Sequence, residues 1–550
     1  MTTGKDTISG LDRRSAMKLG AGAAAFIMSG AATRAFAANG APSGQVIIGF
    51  SQEPTVFNPH MLHIEVDDGI HWNVFDPLIG VSKEGEFYPA LASEVPSVEN
   101  GGISADGLKW RVKLREGVTW HDGKPFTAAD VKFTFELIND PNFRSMRRTG
   151  HELIRNMEIV SDHEITWEMS APFAPYPSIL SWTHMVPKHA FEGEADPNTA
   201  AFNNAPIGTG AFKWGERTPG DHIVLKANPD YWGDGPNLET VVFKYIPDLT
   251  VMYTQFKTGD IDVIALQGIT PDHYEEAKTL ADREVVVAPS GTIESFSLNN
   301  GKPQFQDPAV REALYHAIDK TTIIEAIYYG IPKATESPIP QQSYYYNPDL
   351  PKHEYSIEKA NKLLDDAGWA RGSDGIREKD GVRLAFTNST TAGNQNREQM
   401  QQFVQQSFAE IGVEMTIKNL PPAVMWGEYY MQSQFDTIVV GNTFVTGPDP
   451  DTTNYFNSTK SNAKGGSGQN NWLYANPEVD ELLKKGGELF VPEERRKAYF
   501  RIQEIMRNDL PLLPIFQYAN LRGHKSGMEG YAPNVNLRIT TWNINEWKWA

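Results

Sequence analysis

The sequence predicts an α/β protein with more than one domain, and three observations carry that reading. Between residues 357 and 417, helical and extended patterns alternate in the order expected of an α/β lobe. The segment from Trp110 to Pro141 runs strand, tight turn and capped helix within about thirty residues. With 550 residues, the chain is longer than one simple hydrophobic core accommodates.

The elements follow in order. Gln45–Phe50 is an apolar run that reads as a first strand. In the Trp110–Pro141 segment, Trp110, Val112 and Leu114 alternate with Arg111, Lys113 and Arg115, which makes a strand with one buried face. Asp122-Gly123 suits a tight reversal. Thr127 with Asp130 forms a shortened capping box ahead of the apolar stripe Val131, Phe135 and Ile138. Glu164–Met169 alternates as a further strand. The glycines of Pro206–Lys213 lack the lysine-hydroxyl pair of a phosphate loop and read as a strand-to-strand turn. Asn228–Gly233 reads as a turn anchored by Tyr231 and Trp232. Asp307 caps a helix with Pro308 at its first position and Val310, Leu314 and Ile318 repeating every fourth residue. Gly368 and Gly412 close the helices of Ile357–Ala367 and Met400–Ile411, and strands at Leu384–Phe386 and Val413–Ile417 follow them. Ser461–Gly468 reads as an exposed loop, residues 492–510 as a helix, and Leu512–Phe516 as a strand. Alternation over Arg538–Trp549 predicts a closing strand.

Composition excludes several function classes. A formal charge of −19 argues against a nucleic-acid partner, whose phosphates demand a concentrated positive field. Residues 1–37 read as an export signal. Arg13-Arg14 lie in a twin-arginine n-region, Leu19–Ala32 form a weakly apolar stretch too short to span a bilayer, and Ala35-Phe36-Ala37 fits a cleavage site. Its five basic and two acidic residues leave the remainder at −22. No later apolar run is long enough for stable membrane insertion. The absence of cysteine excludes a disulfide, a lipid-anchoring thiol and an iron–sulfur cluster. No Gly-x-Ser-x-Gly elbow or His-Glu-x-x-His helix is present, so no catalytic residues and no cofactor are assigned.

The Trp110–Pro141 segment, Asn73–Ile79, Pro206–Lys213, Asn228–Gly233, Ser297–Asn300 and Asp307–Lys320 together resemble the family 5 extracellular solute-binding proteins, over nearly the whole chain after the signal. The resemblance implies a two-lobe periplasmic binding protein fold of the large cluster C type, with an extra subdomain in lobe I and a ligand cleft between lobes. It places lobe I at residues 38–297, lobe II at 298–513 and the return to lobe I at 514–550. It further implies a monomeric periplasmic receptor that captures a peptide or similarly sized polar solute and delivers it to the transmembrane permease of an ABC importer. A neutral oligosaccharide or opine is the second ligand class. An exported glycan- or peptide-hydrolysing enzyme is the remote alternative.

The resemblance also suggests where ligand is held. Peptide-binding relatives place an acid in the segment that is Gly441–Asp451 here, but this chain has Val445 and Thr446 at the corresponding positions. The arginine that dipeptide-type relatives use for the ligand carboxylate falls in Asn388–Thr391, with Arg397 as a displaced substitute. Trp426 resembles a tryptophan lining the pocket, and Tyr344 lies where relatives put an aromatic near the cleft. The expected ligand-binding set is therefore Trp426, Thr446, Phe444, Asn442, Tyr344, Thr391, Arg397 and His63, a pocket of hydroxyls, amides and rings. His60, His63 and His71 lie near Glu65, Asp67 and Asp68, but their spacing matches no zinc pattern, and no metal site is expected.

Overall fold

Two long strands, Arg283–Leu298 and Leu512–Lys525, run antiparallel to each other and carry one sheet through the molecule. The computed structural model describes residues 41–266 and 268–550, so the expected signal at 1–37 lies outside the described residues. On one side of the long pair, the sheet continues through Val263–Ile264, Gln45–Phe50, Thr240–Tyr245, His222–Ala227 and Phe212–Thr218. On the other it continues through Thr437–Thr443, Ala385–Ser389 and Glu414–Ile417. Gln45–Phe50 is parallel to both its neighbours, as is Ala385–Ser389, which gives each half an α/β character.

Each half has its own core. Val46, Ile48 and Phe50 pack with Val66, Ile70 and Val74 of the Glu65–Val74 helix and with Ile544 and Trp547 of the C-terminal tail. Phe296, Leu298, Leu314, Phe386, Val404 and Phe516 form the second core. A third cluster belongs to a subdomain inserted into the first lobe, where Lys109–Lys113, Glu164–Met169 and Ile154–Ser161 form a small antiparallel sheet under the Ala128–Asn139 helix.

The local signals read from the sequence are realised here. Trp110, Val112 and Leu114 are buried. Thr127 accepts from the Ala129 amide, and Asp130 accepts from the Thr127 amide at 3.0 Å, the reciprocal pair of a capping box. The glycines of Pro206–Lys213 have a different reason from the one expected. A Cβ on Gly208 would stand 1.7 Å from the Val74 carbonyl oxygen, so glycine is required by close backbone approach to the end of the Glu65–Val74 helix. The His121 ring clasps this loop, accepting from the Gly208 amide at 3.1 Å and donating to the Gly210 carbonyl at 2.9 Å. Tyr231 and Trp232 anchor their turn by donating to buried Asp76 at 3.4 and 2.8 Å.

Two expectations are corrected. Leu512–Phe516 is only the first part of a strand that continues to Lys525. Arg538–Trp549 is not a strand: Ile544–Glu546 is a single helical turn and only Lys548–Trp549 is extended. Its asparagines divert the backbone. Asn543 donates to the Gly530 carbonyl and accepts from the Trp547 indole at 3.0 Å, local bonds that compete with a ladder.

Candidate functional site

The long strand pair is interrupted at its middle. Register is lost between Pro289 and Ile293, where Ser290-Gly291-Thr292 bulges out of the ladder. A cavity of about 710 Å³ opens over this break, between the two halves of the molecule. Its volume falls within the ~300–1,000 Å³ typical of small-ligand sites.

The break is braced by side chains rather than by ladder bonds. Gln517 donates to the Ser290 carbonyl at 2.8 Å and accepts from the Gln341 amide at 3.0 Å. The Thr292 and Thr443 hydroxyls pair across the strands at 2.9 Å. Backbone is thus held in place at the point where sheet pairing is weakest.

One wall comes from the second lobe and is uncharged: Gly441, Asn442, Thr443, Val445, Thr446 and Tyr455 line it. Asn442 accepts from the Tyr430 hydroxyl at 3.1 Å, and its amide nitrogen is buried. The turn beyond Thr446 is pinned by a buried pair, with Arg495 donating to both Asp449 oxygens at 2.8 and 3.1 Å.

The opposite wall is charged. His63, Glu65 and Asp68 contribute from the start of the Glu65–Val74 helix, Arg147 and Trp182 from the inserted subdomain, and Arg522 and Arg538 from the C-terminal segments. Asp67 fixes the helix start by accepting from the Thr55, Val56 and Ile64 amides. Arg147 lies over the Trp182 ring at 5.6 Å, and Arg522 donates to the Ala265 carbonyl at 2.6 Å. Burial pulls the pKa of both arginines down from the ordinary guanidinium value. Burial raises the Glu65 pKa, an effect that Arg522 and Arg538 oppose through their charge. The Asp68 carboxyl is also buried, but bonds from His63 and His71 outweigh burial and hold it well below the usual carboxylate range.

Of the eight residues expected from the sequence, the structure brings His63, Asn442 and Thr446 to the cavity. Phe444 instead packs in a core cluster against Phe456 and Trp472. Arg397 is taken up by buried Glu294. Tyr344 bonds to Glu493 on the surface, beneath Arg496. Thr391 sits beyond the end of the Ala385–Ser389 strand, and its hydroxyl has no partner. Trp426 is 41% exposed, lies edge-on to Tyr430 at 5.2 Å and does not line the cavity. The hydroxyls, amides and rings expected from the sequence line one wall, and the other is charged.

Sequence reasoning missed the arginines, Trp182, and the Asn534–Arg538 loop. That loop is tied down by Asn534 and Asn536, which donate to the Val81 and Ser82 carbonyls at 3.1 Å each. One signal was available: Pro289-Ser290-Gly291 interrupts an otherwise β-prone run and marks a break in the sheet.

Residues 86–465 match the model of the bacterial extracellular solute-binding proteins, family 5 middle region. The chain is similar to the oligopeptide-binding protein AppA of Bacillus subtilis, 28% identical over 517 residues that cover 92% of this chain and 91% of that protein. The structure of that protein with a nonapeptide superposes with a TM-score of 0.70, covering 92% of this chain and 99% of the other. The dipeptide-binding protein of Escherichia coli K12 is 26% identical over 474 residues, 81% of this chain and 85% of that protein.

Proposed function

This chain belongs to the family 5 bacterial extracellular solute-binding proteins, a family of transport receptors and not of enzymes, and from that premise we propose that it is the receptor of an ABC importer for a peptide-sized solute bearing ionised groups. The observation that carries this reading is the cavity at the sheet break, with one neutral wall and one lined by Arg147, Arg522 and Arg538. Guanidinium groups recognise carboxylates by paired hydrogen bonds. Glu65 on the same wall supplies the opposite charge for an ammonium. A short peptide presents both groups, whereas a neutral sugar would leave buried charges unmatched at a cost.

In this reading, lobe I and lobe II meet at Ser290–Thr292 and at Gln517–Asn520, which places the hinge slightly inside the boundaries expected from the sequence. Solute contacting both walls stabilises the closed arrangement by its differential affinity for it. The closed receptor then docks on its permease. Export by the twin-arginine route to the periplasm completes the proposal, and among the described residues no helix is long and apolar enough to cross a membrane.

Native mass spectrometry of the receptor purified from its source tests the reading. The expected spectrum shows a small adduct that dissociates intact, with compaction in solution scattering when the adduct is restored. Hydrolysis products, or binding without compaction, would overturn it.

A further inference from the structure

The two halves of the molecule touch a second time, away from the sheet break. In the second half, the Pro477–Glu488 and Pro492–Asp509 helices pack together, and Val479, Leu483, Tyr499 and Ile502 share one core with Ile293, Phe444 and Leu512. Phe490 lies in the link between these helices, yet it packs with the buried cluster of the inserted subdomain. Its ring is 6.2 Å from Trp110 and meets it edge-on at 67°, a favourable aromatic geometry. A Cβ on Gly107 would overlap the Phe490 ring, so the ring rests directly on the backbone of that turn.

Polar contacts join the same elements. Gly487 is in the last turn of its helix, where carbonyls lack intrahelical partners. Its carbonyl accepts from the Ala174 amide of the subdomain at 2.7 Å. Nearer the cavity, a Cβ on Gly447 would stand 3.4 Å from the Trp182 indole nitrogen, and one on Gly85 would stand 3.5 Å from Pro448. Arg495 fixes this face from behind. It donates to the Gly486 carbonyl at 2.8 Å as well as to Asp449, which ties the helix end to the Gly447–Asp449 turn.

We propose that Phe490 is a positioning residue for solute capture, which latches the inserted subdomain against the second half without touching the solute. The contact forms only when the halves approach, so it favours the closed arrangement over the open one. Solute is held by the closed form, so the latch raises affinity for every solute alike and slows release. The cavity selects the solute, and Phe490 sets how long it stays. That consequence for affinity rests on the receptor reading above; the latch itself does not.

Pulsed electron paramagnetic resonance distances in the solute-free full chain test it. The sequence has no cysteine, so Glu158→Cys and Lys484→Cys, both at exposed positions, carry the only spin labels. The labelled chain should show a population at the short, closed distance. Phe490→Ala should lower the closed-to-open ratio by about tenfold, and Phe490→Leu by less. Tyr344→Ala, which removes an aromatic on the outer surface beside Glu493, should leave the ratio unchanged. Should Phe490→Ala fail to fold, Phe490→Leu decides. A shifted ratio in a protein that yields no solute adduct would uphold the latch and count against the receptor reading instead. Distances confined to an open population, or a ratio that loss of the Phe490 ring leaves unchanged, overturn the proposal.

Discussion

Arg397 donates to both carboxylate oxygens of Glu294, Nε to Oε1 at 2.6 Å and Nη2 to Oε2 at 2.9 Å. Tyr518 adds a third bond to Oε2 at 3.0 Å, and Glu294 is completely buried. Burial lowers the pKa of the guanidinium, but Glu294 more than offsets it, so the arginine stays charged. Arg397→Ala should cost about 3–5 kcal/mol of stability, because it strands a buried carboxylate. The double variant Arg397→Met with Glu294→Met should recover most of that loss in denaturant titration. A single variant as stable as wild type would show that the pair is not a locked structural unit.

Arg538 is exposed at the charged wall and forms no ion pair among the described residues, so its removal should leave the fold intact. Arg538→Ala should weaken solute binding by about tenfold or more, ~1.4 kcal/mol, with an unchanged melting temperature. Equal affinity in wild type and variant would remove the charged wall from solute recognition.

Trp426 tests the opposite wall. Its ring packs on Tyr430, which bonds Asn442, and does not itself line the cavity, so Trp426→Ala should change affinity by less than about tenfold. Asn442→Ala, which truncates a side chain lining the cavity, should have the larger effect. If the tryptophan variant proves the more damaging, closure must bring Trp426 onto the solute.

Acid should destabilise the protein through buried neutral histidines. Burial pushes His151 down to about 3, and its two nitrogens are committed, one accepting from Tyr176 at 3.0 Å and the other donating to Thr183 at 3.0 Å. Burial likewise lowers His121 to about 4. Burial, followed by the charge of Lys320, lowers His353 to about 4. A depressed folded-state value means that the unfolded chain takes up protons first. The stabilisation is present above the ordinary value of 6.5 and is lost as pH falls towards 4. Asp76, raised by burial to about 6, works in the other direction over the same range. Burial also raises Glu65, Asp262 and Asp451 and lowers His60, His71 and His184, so six histidines outweigh four carboxyls and melting temperature should fall steadily from pH 6.5 to 4.5. A flat profile over that interval would contradict the assignment.

The local elements were legible because their causes are local. Thr127 with Asp130, Asp307 before Pro308, and Gly368 and Gly412 after their helices each satisfy orphan backbone groups within a few residues. The glycines at Gly208 and Gly210 were visible, but their reason lay in a helix end more than a hundred residues earlier. Arg397 looked like a ligand anchor because its partner Glu294 is 103 positions away.

By itself, the sequence determined the α/β class, the resemblance to a receptor family, and the neutral character of the Asn442–Thr446 wall. These rest on periodicity, capping and residue type, all read along the chain. Only the tertiary structure decided which charges line the cavity, since residues from His63 to Thr540 meet there. Such convergence depends on how packed elements orient side chains in space, which no spacing along the chain encodes.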